Sequence, residues 1–368
     1  MNEEIEFEEK LIDELKKKYL VEVVQPSFPF IKNFGGTSWS RQSNSKLKVH
    51  FRLSEYFGHF KEGPYYFANA NKFIHYTTLK NAVNIINDGF FRLNSLAYMD
   101  DPQELLFAGN EILGNYETSE LQALKENIFC ISFAEYDDEN GKADNFDSWR
   151  LYGDNGKGVG IVFKFSSEVH LWNENYLSKI RYGKEQINKS GIEETTEKFR
   201  IFKIKHNKFI SEYEDKVELL SNTFGRKGKI PEWIAIFLAF HKSSLYLPEN
   251  EIRFLRQGNK NGRNSFTINQ RSERTFYDKL FIKTKHNLNM IKEDTKLYQF
   301  KAHPNIYDPA WIREASQSNP IVEIEKIIIG YRRSNEFDKL GKTFREGFYD
   351  KNEQTIKVEL SPLCEAFQ

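Results

Sequence analysis

Three groups of side chains have the types and spacing to do chemistry on a sugar or an amide. His75, Tyr76 and Thr77 end the apolar run FIHYT, Ser132 lies inside IFCISF, and Glu249, Asn250 and Glu251 open ENEIRFL, with Arg253 two residues further on. An imidazole with hydroxyls beside it can hydrogen-bond a sugar or a carboxamide. A carboxylate can stabilise a developing oxocarbenium centre, as in glycosyl transfer. Positions i and i+2 of a strand share a face, so a strand starting at Glu249 would point Glu249, Glu251 and Arg253 the same way. Two carboxylates so placed raise each other's pKa or bind a cation. The plainer alternatives are a structural histidine on its strand and an ordinary Glu251–Arg253 ion pair.

Local patterns supply elements to hold these groups. The first strand ends at the His75 group, and a helix follows with Leu79, Ala82, Val83 and Ile86 at the 3.6-residue period. Thr77 or Thr78 can cap its start, and Gly89 falls where a left-handed C-terminal cap is usual. A second strand, Phe90 to Leu93, leads to the acidic turn Asp100-Asp101-Pro102. IFCISF is too short and too apolar for anything but a buried strand. GVGIVFKF alternates as a strand does, and the preceding GDNGKG reads as a hairpin-type turn because it lacks the Walker spacing. Residues 195–222 and 231–246 read as helices, 321–330 and 355–360 as strands with a helix between them. Residues 2–20 read as an amphipathic helix and 25–48, rich in Pro, Gly, Ser and Asn, as a loop or linker. The expected architecture is α+β: an N-terminal helix and linker extension over residues 1–70, then one domain over 71–368. Within that domain, residues 256–275 form a basic loop carrying Arg256, Lys260, Arg263, Arg271 and Arg274 against Glu273 alone.

Composition narrows the class. Lys plus Arg and Asp plus Glu are 53 each, so no global field recruits nucleic acid or acidic lipid, and any such contact must use a local patch. Aromatics at 15% suit a β-rich core. Two distant cysteines, Cys130 and Cys364, make neither a disulfide framework nor a zinc site. No HExxH, CxxC pair or GxSxG is present, which leaves metal-hydrolase and serine-hydrolase readings without support. No metal is expected. No stretch has the order of a signal peptide or the length of a membrane span, so the expectation is a soluble cytoplasmic protein with no membrane partner.

In order along the chain, FIHYTT, GFFRLNSLAYMDDPQEL, IFCISF, SWRLYGDNGKGVGIVF, HKSSLYLPENEIRFL and IEKIIIG resemble a bacterial family known only as domain of unknown function 2971. That family usually has Asn-Asp-Pro where this chain has Asp100-Asp101-Pro102, and often a Trp near Tyr246. The order of elements is in turn similar to the mono-ADP-ribosyltransferase fold, a split mixed sheet with flanking helices. In that fold a first strand carries Arg or His-x-Thr, a middle strand a Ser-x-Ser-like or Tyr motif, and a late strand the catalytic Glu, often as Glu-x-Glu; here IFCISF offers one Ser, and Tyr98 and Tyr152 both match the middle Tyr. The resemblance implies NAD as substrate. His75, with Tyr76 and Thr77, would hold the ribose or amide of NAD; Ser132 would support the glutamate; Glu251 would stabilise the transition state and Glu249 would orient or activate the acceptor. Trp149 and Tyr152 would offer an aromatic wall, and Arg253 would join the cofactor-binding set. The acceptor would be a macromolecule, nucleic acid or protein, met by Arg256, Lys260, Arg263 and Arg271. By association the resemblance also implies a toxin or phage-defence effector, with an antitoxin or regulatory partner. Other classes remain open: an NAD glycohydrolase, or a non-catalytic nucleic-acid or protein binding module on a degenerate transferase-like fold.

Overall fold

The structure is a computed structural model, and it describes residues 2–27, 29, 34–41, 47–53, 72–99, 105–110, 122, 124–137, 145–166, 175–183, 192–213, 215, 217–220, 238–257, 266–270, 273–284, 287, 320–352 and 355–366. The chain divides into two compact units: residues 1–66, 99–128 and 180–247 form one, and residues 67–98, 129–179 and 248–368 form the other. The segments 99–128 and 180–247 differ from expectation, since they join the N-terminal unit rather than the 71–368 domain. They are insertions between strands, with no linker composition to mark where they leave and return.

The first unit is built on the amphipathic helix Asn2–Tyr19. It buries Ile12, Leu15 and Tyr19, and the turn after it buries Val23 and Val24. Within this unit Tyr19 packs edge-on against Phe209, its centroid 5.0 Å away, on the helix Ile192–Tyr213. Residues 25–48, expected as a loop, instead carry the strand Phe34–Arg41, which pairs antiparallel with Leu47–Leu53. The second of these pairs in parallel with Val217–Leu220, so the helix expected over 195–222 ends at Tyr213 and gives way to a strand. The helix expected to run to 246 also stops short: His241–Lys242 is a two-residue strand paired with Arg181–Tyr182, and a tight helical turn spans Ser244–Glu249. The strands at 217–220 and 241–242 pair with segments remote in sequence, and the Gly and Ser content of Phe34–Arg41 hid that strand.

The second unit holds the site elements. Its strands are β1 (Phe73–Thr77), β2 (Phe90–Ser95), β3 (Ile128–Glu135), β4 (Val159–Phe165), β5 (Asn175–Lys179), β6 (Ile252–Gln257), β7 (Phe266–Gln270), β8 (Glu273–Phe281), β9 (Val322–Ile329) and β10 (Lys357–Leu360). Its main helices are α1 (Leu79–Asp88), α2 (Phe146–Leu151) and α3 (Phe337–Asn352). Among the described residues the strands form one sheet in the order β7-β8-β2-β3-β1-β4-β9-β10, with β6 pairing β3 and β5. The sheet is mixed: β1 runs antiparallel to β4, and β9 runs parallel to β10. The fold is therefore α+β with a mixed sheet and flanking helices. Of the basic loop expected over 256–275, Arg256 and Gln257 instead end β6, and residues 266–270 and 273–275 belong to β7 and β8.

The sheet opens where β1 and β2 share one strand. β3 meets β1 only at Phe73↔Glu135 and Ile74↔Ala134, and meets β2 only at Asn94↔Cys130 and Ser95↔Phe129. Residues 131–133 fall between the two ladders. On one face Phe73, Phe91, Phe133, Phe163, Ile161 and Ile327 pack with α1 residues and Phe344 of α3 in the larger core. On the other face Ile74, Tyr76, Trp149, Val162, Ile328 and Tyr331 form a smaller one. The period-2 alternation of β1 and β4 produces both faces.

Candidate functional site

Local signals at β1 and α1 fix where His75 stands. Thr78 is extended (φ −69°, ψ 156°) and its hydroxyl accepts from the Asn81 amide, so it is the residue that caps α1. Gly89 closes the helix in the left-handed region at φ 73°. The end of β1 is clamped by the turn at residues 153–158: a Cβ on Gly158 would lie 2.2 Å from the Thr77 carbonyl oxygen. No side chain fits between these backbones, so the glycine is required by close approach. Thr77 is buried there.

His75 lies on the face of the larger core, edge-on to Phe91 and Phe133 with centroids 5.5 and 6.1 Å away. Its Nδ1 is 3.0 Å from the backbone carbonyl of Ser132. A carbonyl only accepts, so Nδ1 carries the proton and Nε2 is left as an acceptor. Burial lowers the His75 pKa, opposed by this bond to Ser132. The imidazole is thus neutral at pH 7, and anything it holds through Nε2 must donate an N–H or O–H.

Ser132 joins the two halves of the cluster. Its carbonyl takes the imidazole; its hydroxyl donates to Glu251 Oε1. Glu251 stands immediately before β6, and both its oxygens are engaged by Arg253: Nε donates to Oε1 at 2.8 Å and Nη2 to Oε2 at 3.2 Å. Glu251 is 4% exposed and Arg253 0%, so this is a buried, side-on ion pair rather than the surface pair considered from sequence. Residues two apart share a face, which is why the guanidinium reaches the carboxylate.

The structure brings together His75, Ser132, Glu251 and Arg253, and separates other residues from them. Glu249 does not share a strand face with Glu251. It ends the helical turn Ser244–Glu249, and Asn250 reverses the chain at φ 43° before β6 starts at Ile252. Tyr76 and Trp149 pack against each other in the smaller core, centroids 4.9 Å apart, on the opposite face of β1 from His75. Tyr76 also accepts from the Asn145 amide at 3.4 Å, where Asn145 caps α2. Trp149 is fully buried, so it offers no wall to a ligand. Tyr152 is exposed at the end of α2.

Arg256 is not part of a loop surface. It is buried on β6, where Nε donates to Asn175 Oδ1 at 2.6 Å and Nη1 to the Lys279 carbonyl at 2.8 Å, with Asp278 Oδ1 3.3 Å away. Burial raises the Asp278 pKa, opposed by Arg256. Lys260, Arg263 and Arg271, and the turn Asp100-Asp101-Pro102, lie outside the described residues. Phe91 and Phe133, which wall the His75 ring, were not singled out from sequence; their alternate positions in FFRLNS and IFCISF are the signal that marks them. Among the described residues no group of three or more His, Cys, Asp or Glu side chains converges on a metal position, and no helix is long and apolar enough to cross a membrane.

Comparison with curated proteins and with solved structures gives no significant match. Residues 148–254 match the family model described as "Protein of unknown function (DUF2971)", a segment that contains Glu251 and Arg253 and supports the likeness to that family.

Proposed function

We propose that this protein cleaves NAD at the nicotinamide–ribose bond and transfers ADP-ribose to a macromolecular acceptor, with His75, Ser132 and Glu251 as the working residues. The observation that carries this reading is the meeting of three residues from distant elements: His75 of β1, Ser132 of β3 and Glu251 immediately before β6. Ser132 touches His75 through its carbonyl and Glu251 through its hydroxyl, across 57 and 119 residues of sequence. The first-strand His, middle-strand Ser and late-strand Glu of the transferase resemblance would need this adjacency.

In the proposed step the bond from nicotinamide nitrogen to ribose C1′ breaks and its electron pair leaves with nicotinamide. Positive charge develops on C1′ and the ring oxygen, and the Glu251 carboxylate stabilises it. The neutral His75 accepts from a ribose hydroxyl or the carboxamide through Nε2. A lone pair of the acceptor then bonds C1′, and its proton passes to solvent. If water is that acceptor, the reaction is NAD hydrolysis.

A second reading, a binding module without turnover, draws on the burial of Glu251 and its existing pairing with Arg253. Incubating the purified chain and a cell lysate with NAD labelled in the adenosine part separates the readings. Label in nuclease- or protease-sensitive macromolecules supports transfer, free ADP-ribose supports hydrolysis, and intact NAD supports the binding module.

A further inference from the structure

We propose that Arg253 is the positioning residue that keeps Glu251 ionised and fixes the plane of its carboxylate, rather than a group that holds NAD. The inference rests on the reaction proposed above. Arg253 is 0% exposed, and its Nε and Nη2 lie 2.8 and 3.2 Å from the two oxygens of Glu251. Its side-on edge is committed to Glu251, and full burial closes the rest of the guanidinium to a ligand phosphate. It therefore leaves the cofactor-binding set to which the resemblance assigned it.

The same geometry gives it a different role. A buried carboxylate without a counter-charge takes up a proton, and a protonated Glu251 cannot stabilise positive charge on a ribose. Two parallel hydrogen bonds also hold the carboxylate in the plane of the guanidinium, while the Ser132 hydroxyl fixes Oε1 from a third direction. Among the described residues, the other charged groups on the strands beside β6 are committed elsewhere. Lys179 of β5 pairs with Glu135 of β3 at 3.0 Å, and the imidazole reaching Ser132 from β1 is neutral, its pKa lowered by burial. Arg256, three residues further along β6, is committed to Asn175, Lys279 and Asp278.

Arg253→Lys keeps a charge and loses the fork; Arg253→Gln loses both. The experiment follows nicotinamide release from NAD across pH for wild type, Glu251→Gln and both Arg253 variants, together with NAD affinity by calorimetry. Wild-type release that Glu251→Gln abolishes establishes the underlying reaction first. The inference then expects kcat of Arg253→Lys to fall about 100-fold, the cost of a misplaced catalytic group, with NAD affinity and KM close to wild type. It expects the acid limb of the Arg253→Gln rate profile to move up by about one pH unit or more. If Arg253→Gln does not fold, the split between kcat and KM in Arg253→Lys decides alone. Wild-type kcat in Arg253→Lys, or weakened NAD binding with kcat unchanged, would overturn the inference while leaving the reaction standing. No release by wild type would overturn both.

Discussion

Glu251→Gln is the natural probe of this site, and its cost to folding can be worked out in advance. The substitution removes the negative charge beside a guanidinium that is fully buried. The Gln carbonyl can still accept one of the two bonds from Arg253, and its amide then points an N–H at the other donor. Breaking one partner of a buried pair costs about 3–5 kcal/mol, chiefly because the remaining charge is left uncompensated. The retained bond places this change near the lower end, about 3 kcal/mol. Native stabilities of about 5–15 kcal/mol leave such a variant folded. Arg253→Met should cost a similar amount, since it leaves Glu251 buried without its counter-charge. The double variant should cost less than the sum, because no lone charge remains, giving a coupling of about 2 kcal/mol or more. Urea denaturation of the four proteins followed by circular dichroism measures the cycle. A loss under about 1 kcal/mol for Glu251→Gln with additive behaviour in the double variant would refute the reasoning, because it is the behaviour of a solvated surface pair.

Three further outcomes follow from the same geometry. Gly158→Ala sets a Cβ 2.2 Å from the Thr77 carbonyl oxygen and 2.8 Å from that of Gly153; it should cost about 3 kcal/mol or more in urea unfolding, since both obstacles are backbone. Ser132→Ala removes the hydroxyl donated to Glu251 but not the carbonyl that holds His75; a stability loss of about 1.5 kcal/mol is expected for a bond to a charged group, with the acidic limb of His75 titration by NMR unmoved. His206 has its pKa lowered by burial to about 4 from 6.5. Its neutral form is the one the fold favours, so it costs nothing above pH 6.5, and stability is lost as pH falls from 6.5 towards 4, by at most about 3 kcal/mol. His206→Asn, which can still exchange a hydrogen bond with the Tyr19 hydroxyl 2.9 Å from the imidazole, should flatten that part of the urea-midpoint-against-pH curve.

What the sequence made legible was local. The cap at Thr78, the left-handed Gly89 and the alternation in β1 and β4 each depend on residues within one or two turns of chain. The placement of Ser132 beside both His75 and Glu251 depends on pairing across 57 and 119 residues, which no local pattern encodes. Glu249 shows the opposite failure. Its spacing from Glu251 fits a strand, but Pro248 and the positive φ of Asn250 turn the backbone first. Trp149 was expected to wall a ligand from its place in the family motif alone. Strand parity instead puts its neighbour Tyr76 on the face away from His75. Arg256 looked like the start of a basic loop because charge was counted without partners; Asn175 and Asp278, on β5 and β8, bury it.

The central claim is that Glu251 stabilises charge during NAD cleavage. The most direct measurement is the rate of nicotinamide release from NAD by the purified wild-type chain and by Glu251→Gln, with circular dichroism establishing that both are folded. The account predicts release by wild type and a loss of about 100-fold or more in Glu251→Gln, the scale on which removing an electrostatic transition-state contact acts. Equal rates in the two proteins, or no release by a folded wild type in the presence of lysate acceptors, would contradict it.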